Sequence, residues 1–227
     1  MTLFYTRPGV TSYGHRLGII QIDCNQPFIP GDVGNAETWP FPVLYKVAPG
    51  VTIKRLILDN EITVREPIIA AALDLQKQGV EAITSNCGYM IRHHKAVQER
   101  LEIPAFLSSL LELPRLAQSL KDDDTVAIIT ASGGSLKKED LQVAVWKDSD
   151  PDPFIYGMDQ YKAFREPFIE DCGVVDIDAM KKASADLANI LRNNHPNLKA
   201  VLLECADLPP YASIFESITN VPVYSFY

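Results

Sequence analysis

The chain has 227 residues, 47% of them hydrophobic and 22% charged, which is enough to bury one large core or two small ones and too apolar for disorder to dominate. Its 21 Lys+Arg against 29 Asp+Glu leave a net charge of -8, which argues against the basic footprint that nucleic-acid binding needs. There is no apolar run near the roughly 20 residues of a bilayer span, no basic head and apolar core of a signal peptide in Met1 to Gly9, and no CxxC among the four cysteines, so a cytoplasmic protein with reduced thiols is expected.

The first predicted element is a buried strand, Leu17 to Asp23. Asn25 to Pro42 follows as a long shaped loop, because it holds Pro27, Pro30, Gly31, Gly34, Pro40 and Pro42. Ile62 to Gln78 has helical spacing, with Ile69, Ala72, Leu73 and Gln76 on adjoining positions. Strands are then predicted at Ala82 to Ser85 and at Thr125 to Thr130. Lys147 to Pro153 reads as a polar, Pro-rich surface connection, Ala179 to Asn194 as a second amphipathic helix, and Ala200 to Leu203 as a further strand. The strands are apolar on both faces, the pattern of parallel sheets covered by helices. Strands alternating with helices predict an α/β fold built from βαβ units.

The chain also repeats itself. Ala82-Ile83-Thr84-Ser85-Asn86-Cys87 and Ala200-Val201-Leu202-Leu203-Glu204-Cys205 align at an offset of 118 (205 − 87). The same offset lays Ile69, Ala70 and Leu73 on Leu187, Ala188 and Leu191, and Ile103 to Phe106 on Val221 to Tyr224. The first strand aligns at 108 (125 − 17), with Leu17 to Cys24 on Thr125 to Ser132. The surplus of about ten residues implied by 108 against 118 is expected in the Pro/Gly loop of the first half. Two similar, pseudo-symmetric α/β lobes with parallel sheets follow, over residues 1–109 and 110–227, the C-terminal segment packing back on the first lobe. In such sheets ligands bind beyond the carboxyl ends of the strands. Cys87 and Cys205 both sit there and are expected to face one cleft.

A thiol at a strand end before a helix has chemistry open to it. The ordinary cysteine pKa is roughly 8.5, and a helix N-terminus lowers it. Two thiols across a cleft can take a proton from one face of a carbon acid and deliver one to the other. The plainer reading, a small buried hydrophobe, suits Cys172 in Glu170-Asp171-Cys172-Gly173, whereas Cys24 ends the first strand near the expected site.

Ser85-Asn86-Cys87-Gly88 and Leu203-Glu204-Cys205-Ala206-Asp207-Leu208-Pro209, with Pro30-Gly31-Asp32-Val33-Gly34-Asn35 and Phe41-Pro42-Val43-Leu44-Tyr45, resemble an uncharacterised branch of the aspartate/glutamate (Asp/Glu/hydantoin) racemase superfamily. The resemblance covers nearly the whole chain. It implies two flavodoxin-like lobes with the site between them, and racemisation or epimerisation next to a carboxylate, without a cofactor, by Cys87 and Cys205. The chain departs from the amino-acid racemases at Gly88-Tyr89, where Asn-Thr is usual, and at Ala206-Asp207, where Thr and then His is usual. Decarboxylation or cis-trans isomerisation of a dicarboxylate on the same fold, redox sensing, and a bilobed binder without chemistry are the competing readings.

Other residues complete the expected site. Thr130 to Ser135 follows a strand, and its backbone N–H groups with the Ser132 hydroxyl form a candidate carboxylate cradle. Asp23 is expected to orient a thiol or bind an amino group, and Glu204 adjoins a cysteine on a buried strand. His93 and His94 are expected at the surface; His15 and His195 have no chemical context. Cys87 and Cys205 are thus the expected catalytic pair, with Asp23, Asn86, Gly88, Tyr89, Ser132, Gly133, Glu204 and Ala206 around the substrate. No metal-ligand spacing or GxGxxG is present, and the expected partners are a small carboxylate and a second copy of the chain, not nucleic acid or membrane.

Overall fold

Each half of the chain builds one four-stranded parallel sheet in a computed structural model that describes residues 2–10, 12–121, 123–144 and 152–227. The first sheet holds β1 (Leu17–Gln21), β2 (Val43–Val47), β3 (Ala82–Ser85) and β4 (Ala105–Phe106), in the order β2-β1-β3-β4. The second holds β5 (Thr125–Thr130), β6 (Phe154–Gly157), β7 (Leu198–Leu203) and β8 (Val223–Tyr224), in the order β6-β5-β7-β8. The two orders are equivalent, as the repeat requires. The central strands are buried on both faces: Ile19, Ile20, Ile83, Ile128, Ile129 and Val201 are fully inaccessible. That burial is why their sequences do not alternate.

Helices cover the sheets through the predicted apolar faces. α1 (Arg65–Lys77) buries Ile68, Ile69, Ala71, Ala72 and Leu75. It packs close against β1, where a Cβ placed on Gly18 would meet the Leu75 and Val80 side chains at 3.1 Å. Below the carboxyl end of β3 runs α2 (Ile91–Gln98), and α3 (Leu113–Ala117) leads to the second lobe. There α4 (Lys138–Val143), α5 (Lys162–Phe168), α6 (Ile177–Asn194) and α7 (Ala212–Thr219) follow. The Asp176 side chain caps α6 by accepting from the Ala179 N–H at 3.0 Å. None of the helices among the described residues is long and apolar enough to cross a membrane.

Two details of the repeat differ from expectation. Leu17 pairs with Ala82, and Val126 with Ala200, so the first strands correspond at 109 (126 − 17) rather than 108. The pairing of β5 with β7 is irregular between Thr125 and Val126, where Lys199 is passed over. The surplus also lies in the second half, not in the Pro/Gly loop: Ala82 follows Leu17 by 65 positions (82 − 17), whereas Ala200 follows Val126 by 74 (200 − 126). It falls between β6 and β7, where α5 and the 18-residue α6 stand opposite a π-helical turn (Lys54–Leu58) and the 13-residue α1. Lys147 to Pro151 of the expected surface connection lie outside the described residues.

Apolar side chains of both sheets belong to one continuous cluster. A smaller cluster of Ile19, Val33 and Ala206 joins the first lobe's loop to the second lobe, with Phe226 against it. The Tyr227 hydroxyl donates to the Gly31 carbonyl, and its ring meets Trp39 edge-on at 5.6 Å.

Candidate active site

Cys87 lies one residue past Asn86 at the carboxyl end of β3, in extended conformation, where the chain enters a 3-10 turn (Gly88–Met90) and then α2. Cys205 lies past Glu204 at the end of β7. Both thiols line one narrow cleft between the lobes, with only about 10 Å³ open to a water-sized sphere. The walls also include Asn86, Gly88, Tyr89, Glu204, Ala206 and Asp207. Gln26 and Phe168 close one lip, the Gln26 amide donating to the Phe168 carbonyl at 2.9 Å.

The offset of 118 pairs the walls across the cleft: Asn86 with Glu204, Cys87 with Cys205, Gly88 with Ala206, Tyr89 with Asp207. Local geometry repeats too. The Tyr89 N–H faces the Cys87 sulfur and the Asp207 N–H faces the Cys205 sulfur. The side chains differ. The Cys205 thiol donates to Asp207 Oδ2 at 3.2 Å, a partner that Tyr89 does not supply to Cys87.

Burial overrides the expected effect of the helix N-terminus. It pushes the Cys87 thiol well above its ordinary range, aided by the Glu204 and Asp207 carboxylates. Burial with Asp207 and Glu204 does the same to Cys205. Both cysteines are therefore neutral thiols with the cleft closed.

Glu204 is fully buried, and that burial pushes its pKa up to about 8. Thr130 Oγ1 donates to Glu204 Oε2 at 2.6 Å and lies 2.8 Å from the Tyr89 hydroxyl. Tyr89 in turn donates to the Ser132 carbonyl at 2.6 Å, so a residue of the first lobe is tied into the second. Gly88 crosses over Glu204 so closely that a Cβ there would stand 2.2 Å from the Glu204 carbonyl oxygen. Behind Tyr89, Arg92 lies 4.8 Å over the ring and forms a bidentate pair with Asp140 at 2.9 and 3.0 Å. Its remaining donors go to the Leu56 carbonyl, presented by a π-helical turn (Lys54–Leu58), and to the Ser135 carbonyl.

Three expected site residues are not among the cleft's walls. Asp23 is exposed, and its Oδ2 accepts from the Gly50 N–H at 2.8 Å, a turn-capping contact. The N–H groups of the expected cradle are engaged: Ser132 N–H with the Tyr89 hydroxyl at 3.3 Å, Gly133 N–H with Asp159 Oδ1 at 3.4 Å. Asn86 does line the cleft. Its Oδ1 accepts from the Ile22 N–H at 2.9 Å, and its Nδ2 is buried without a hydrogen-bond partner among the described residues. His93 is buried rather than at the surface, and burial with the nearby Arg65 and Arg92 charges brings its pKa down to about 4. Cys24 is half-buried outside the cleft, with its pKa pushed up to about 12 by burial, and Cys172 is exposed.

Asp207 and Asp32 were not among the expected site residues. The two carboxyls hydrogen-bond each other beside Cys205, Asp32 reaching in from the Pro/Gly loop. The offset that matches the cysteines also matches Tyr89 with Asp207, and that signal points to Asp207. Asp32 has no local signal, because its partner lies in the other lobe.

No family model matches the chain. It is 30% identical over 217 residues to dimethylsulfoniopropionate lyase 3 of Emiliania huxleyi (strain CCMP1516), covering 92% of this chain and 56% of that protein. The chain thus spans about half the length of that curated relative. Among solved structures, glutamate racemase from Francisella tularensis superposes with a TM-score of 0.58 at 17% identity, over 92% of this chain and 75% of that one. Arylmalonate decarboxylase superposes at 0.56 and 17% identity, over 92% and 86%. With two equivalent parallel sheets and a cleft at their strand ends, the chain has the fold of the aspartate/glutamate racemases.

Proposed function

We propose that the chain is an enzyme that removes a proton from a carbon next to a carboxylate, with Cys87 and Cys205 as the proton-transfer groups. The observation that carries this reading is the pair of buried thiols at equivalent strand ends on one cleft. A thiolate formed there takes the α-proton, and the electron pair left behind is held as an enolate by the carboxylate.

The curated relative favours elimination as the outcome. In a β-sulfonium carboxylate such as dimethylsulfoniopropionate, the electron pair left by the α-proton forms a double bond to the β-carbon. A neutral sulfide leaves and an unsaturated acid remains, with no change of oxidation state overall. The walls suit a cationic group: Asp207 supplies a carboxylate, Tyr89 and Phe168 supply aromatic rings, and no Lys, Arg or His is among them. Inversion of an amino acid such as aspartate or glutamate is the second reading, favoured by the matched thiols on the two lobes.

Incubation in deuterated water, followed by proton NMR, separates them. Dimethylsulfoniopropionate is expected to yield acrylate and dimethyl sulfide. Exchange of the α-proton with loss of optical activity, on L- or D-amino acids, would establish inversion instead. Binding without exchange or product across sulfonium carboxylates, amino acids and malonates would leave a binder and overturn the enzymatic reading.

A further inference from the structure

We propose that Asp32 is a positioning residue of this site: it reaches across from the first lobe, keeps the Asp207 carboxyl ionised and aims it at Cys205, so that Asp207 can accept the thiol proton. The inference rests on the reading of Cys205 as a proton-transfer group.

The loop holds Asp32 from several sides. Its N–H donates to the Ile29 carbonyl at 2.9 Å, and its carbonyl accepts from the Thr38 hydroxyl at 2.6 Å. Its Oδ1 accepts from the Gly34 N–H at 2.6 Å. The side chain is 1% exposed, and Asp207, at 7%, meets it from the opposite lobe. Two carboxyls in contact in a buried site cannot both ionise, so the pair holds one proton. Burial raises both carboxyls, but the Asp207 charge and hydrogen bond push Asp32 further up whereas the Asp32 and Cys205 hydrogen bonds pull Asp207 back, so the shared proton is assigned to Asp32. Asp207 is then the carboxylate, in hydrogen-bond contact with Asp32 and accepting from the Cys205 thiol on Oδ2 at 3.2 Å.

Three acids therefore share two protons. In the activating step the Cys205 S–H bond breaks and an Asp207 O–H bond forms, and the single negative charge passes from oxygen to sulfur. The thiolate then takes the substrate α-proton, whose electron pair stays on the substrate. Without the Asp32 donor, the buried Asp207 would itself take up a proton at neutral pH and could not receive another.

Other titratable groups face the pair. Tyr211 follows Asp207 in the chain, Tyr227 comes from the C-terminal segment, and Tyr45 from β2 faces Asp32. Glu204, Cys87 and Cys24 feel the Asp207 charge. None of these is a cation, so the Asp32 proton is the positive partner that the pair has.

The test compares Asp32→Asn, which keeps a donor, with Asp32→Ala and Asp32→Leu, which lack one; Leu keeps the volume if Ala fails to fold. Carboxyl carbon-13 NMR of the substrate-free protein, with the Asp207 signal assigned by its loss in Asp207→Asn, reads the proton directly. Asp207 is expected to be ionised at pH 7 in the parent and in Asp32→Asn. It should titrate at least one pH unit higher in whichever donor-less variant folds. With dimethylsulfoniopropionate or an amino acid, the acid limb of the α-proton exchange rate should move upward by a similar amount, and Asp32→Asn should restore it. An Asp207 titration unmoved in the folded donor-less variant overturns the proposal. A moved titration with no exchange on any compound would leave the Asp32–Asp207 link standing and count against the enzymatic reading instead.

Discussion

Replacing Glu204 by Gln should make the protein more stable at alkaline pH while changing little in acid. Glu204 is fully buried, and its pKa rises from 4.5 to about 8 because burial penalises the ionised form. Its folded-state pKa lies above the unfolded value, so the native state holds a proton that the unfolded state releases. Stability is then fully retained below about pH 4.5 and falls as pH rises, until the native carboxyl ionises near 8. At about 1.4 kcal/mol per pH unit, the loss is on the order of 3 kcal/mol by pH 7 and approaches 5 kcal/mol near pH 8. The amide introduced by Glu204→Gln keeps an oxygen for the Thr130 hydroxyl and has no proton to lose. Urea unfolding of both proteins at each unit from pH 5 to 9 provides the assay, because other titrating groups cancel in the difference. The two stability curves should nearly coincide at pH 5 and diverge by several kcal/mol by pH 8, in favour of the variant. Curves that stay parallel across that range would refute the assignment of a neutral, buried carboxyl.

Gly88→Ala should lose about 3 kcal/mol or more in urea unfolding, because its Cβ would sit 2.2 Å from a backbone oxygen that cannot step aside. Arg92→Ala should cost about 3–5 kcal/mol, since it leaves the Asp140 carboxylate buried and unpaired; a double Arg92→Met, Asp140→Leu variant should regain most of that in thermal melting. Cys87→Ser and Cys205→Ser should each cut inversion by orders of magnitude; under elimination, only the variant lacking the base should lose product, as acrylate formation would report. Cys172→Ser, at an exposed thiol outside the cleft, should retain near-parental turnover in the same assay.

The repeat was readable because both halves bury the same strands and the same thiol position, so one offset served two strands and a helix. The edge strands β2 and β6 gave no comparable signal: they are half-buried, and Val43 to Val47 and Phe154 to Gly157 lack the run buried on both faces that marks the central strands. A one-residue difference in the first strands leaves no trace in apolar composition, because Thr125 to Thr130 is apolar at neighbouring positions in either register. Electrostatics was harder to read. A strand-end cysteine before a helix suggests a lowered pKa, but the closed cleft removes the water that would solvate a thiolate. Asp32 acquires its environment only through a loop that crosses to the other lobe, and His93 lies behind a helix face that carries three charged or polar neighbours in sequence.

The unequal partners of the two thiols bear on the direction in which such a site is useful. Enantiomers have the same free energy, so an enzyme that interconverts them must have the same kcat/KM both ways. Giving Cys205 an acid partner that Cys87 lacks then trades kcat against KM for one hand and cannot favour either hand at equilibrium. An elimination that releases a volatile sulfide carries no such constraint, since the reverse reaction has little product to consume. On a duplicated scaffold, a proton acceptor on only one of two equivalent cysteines is therefore a change that one-way chemistry can retain and exploit.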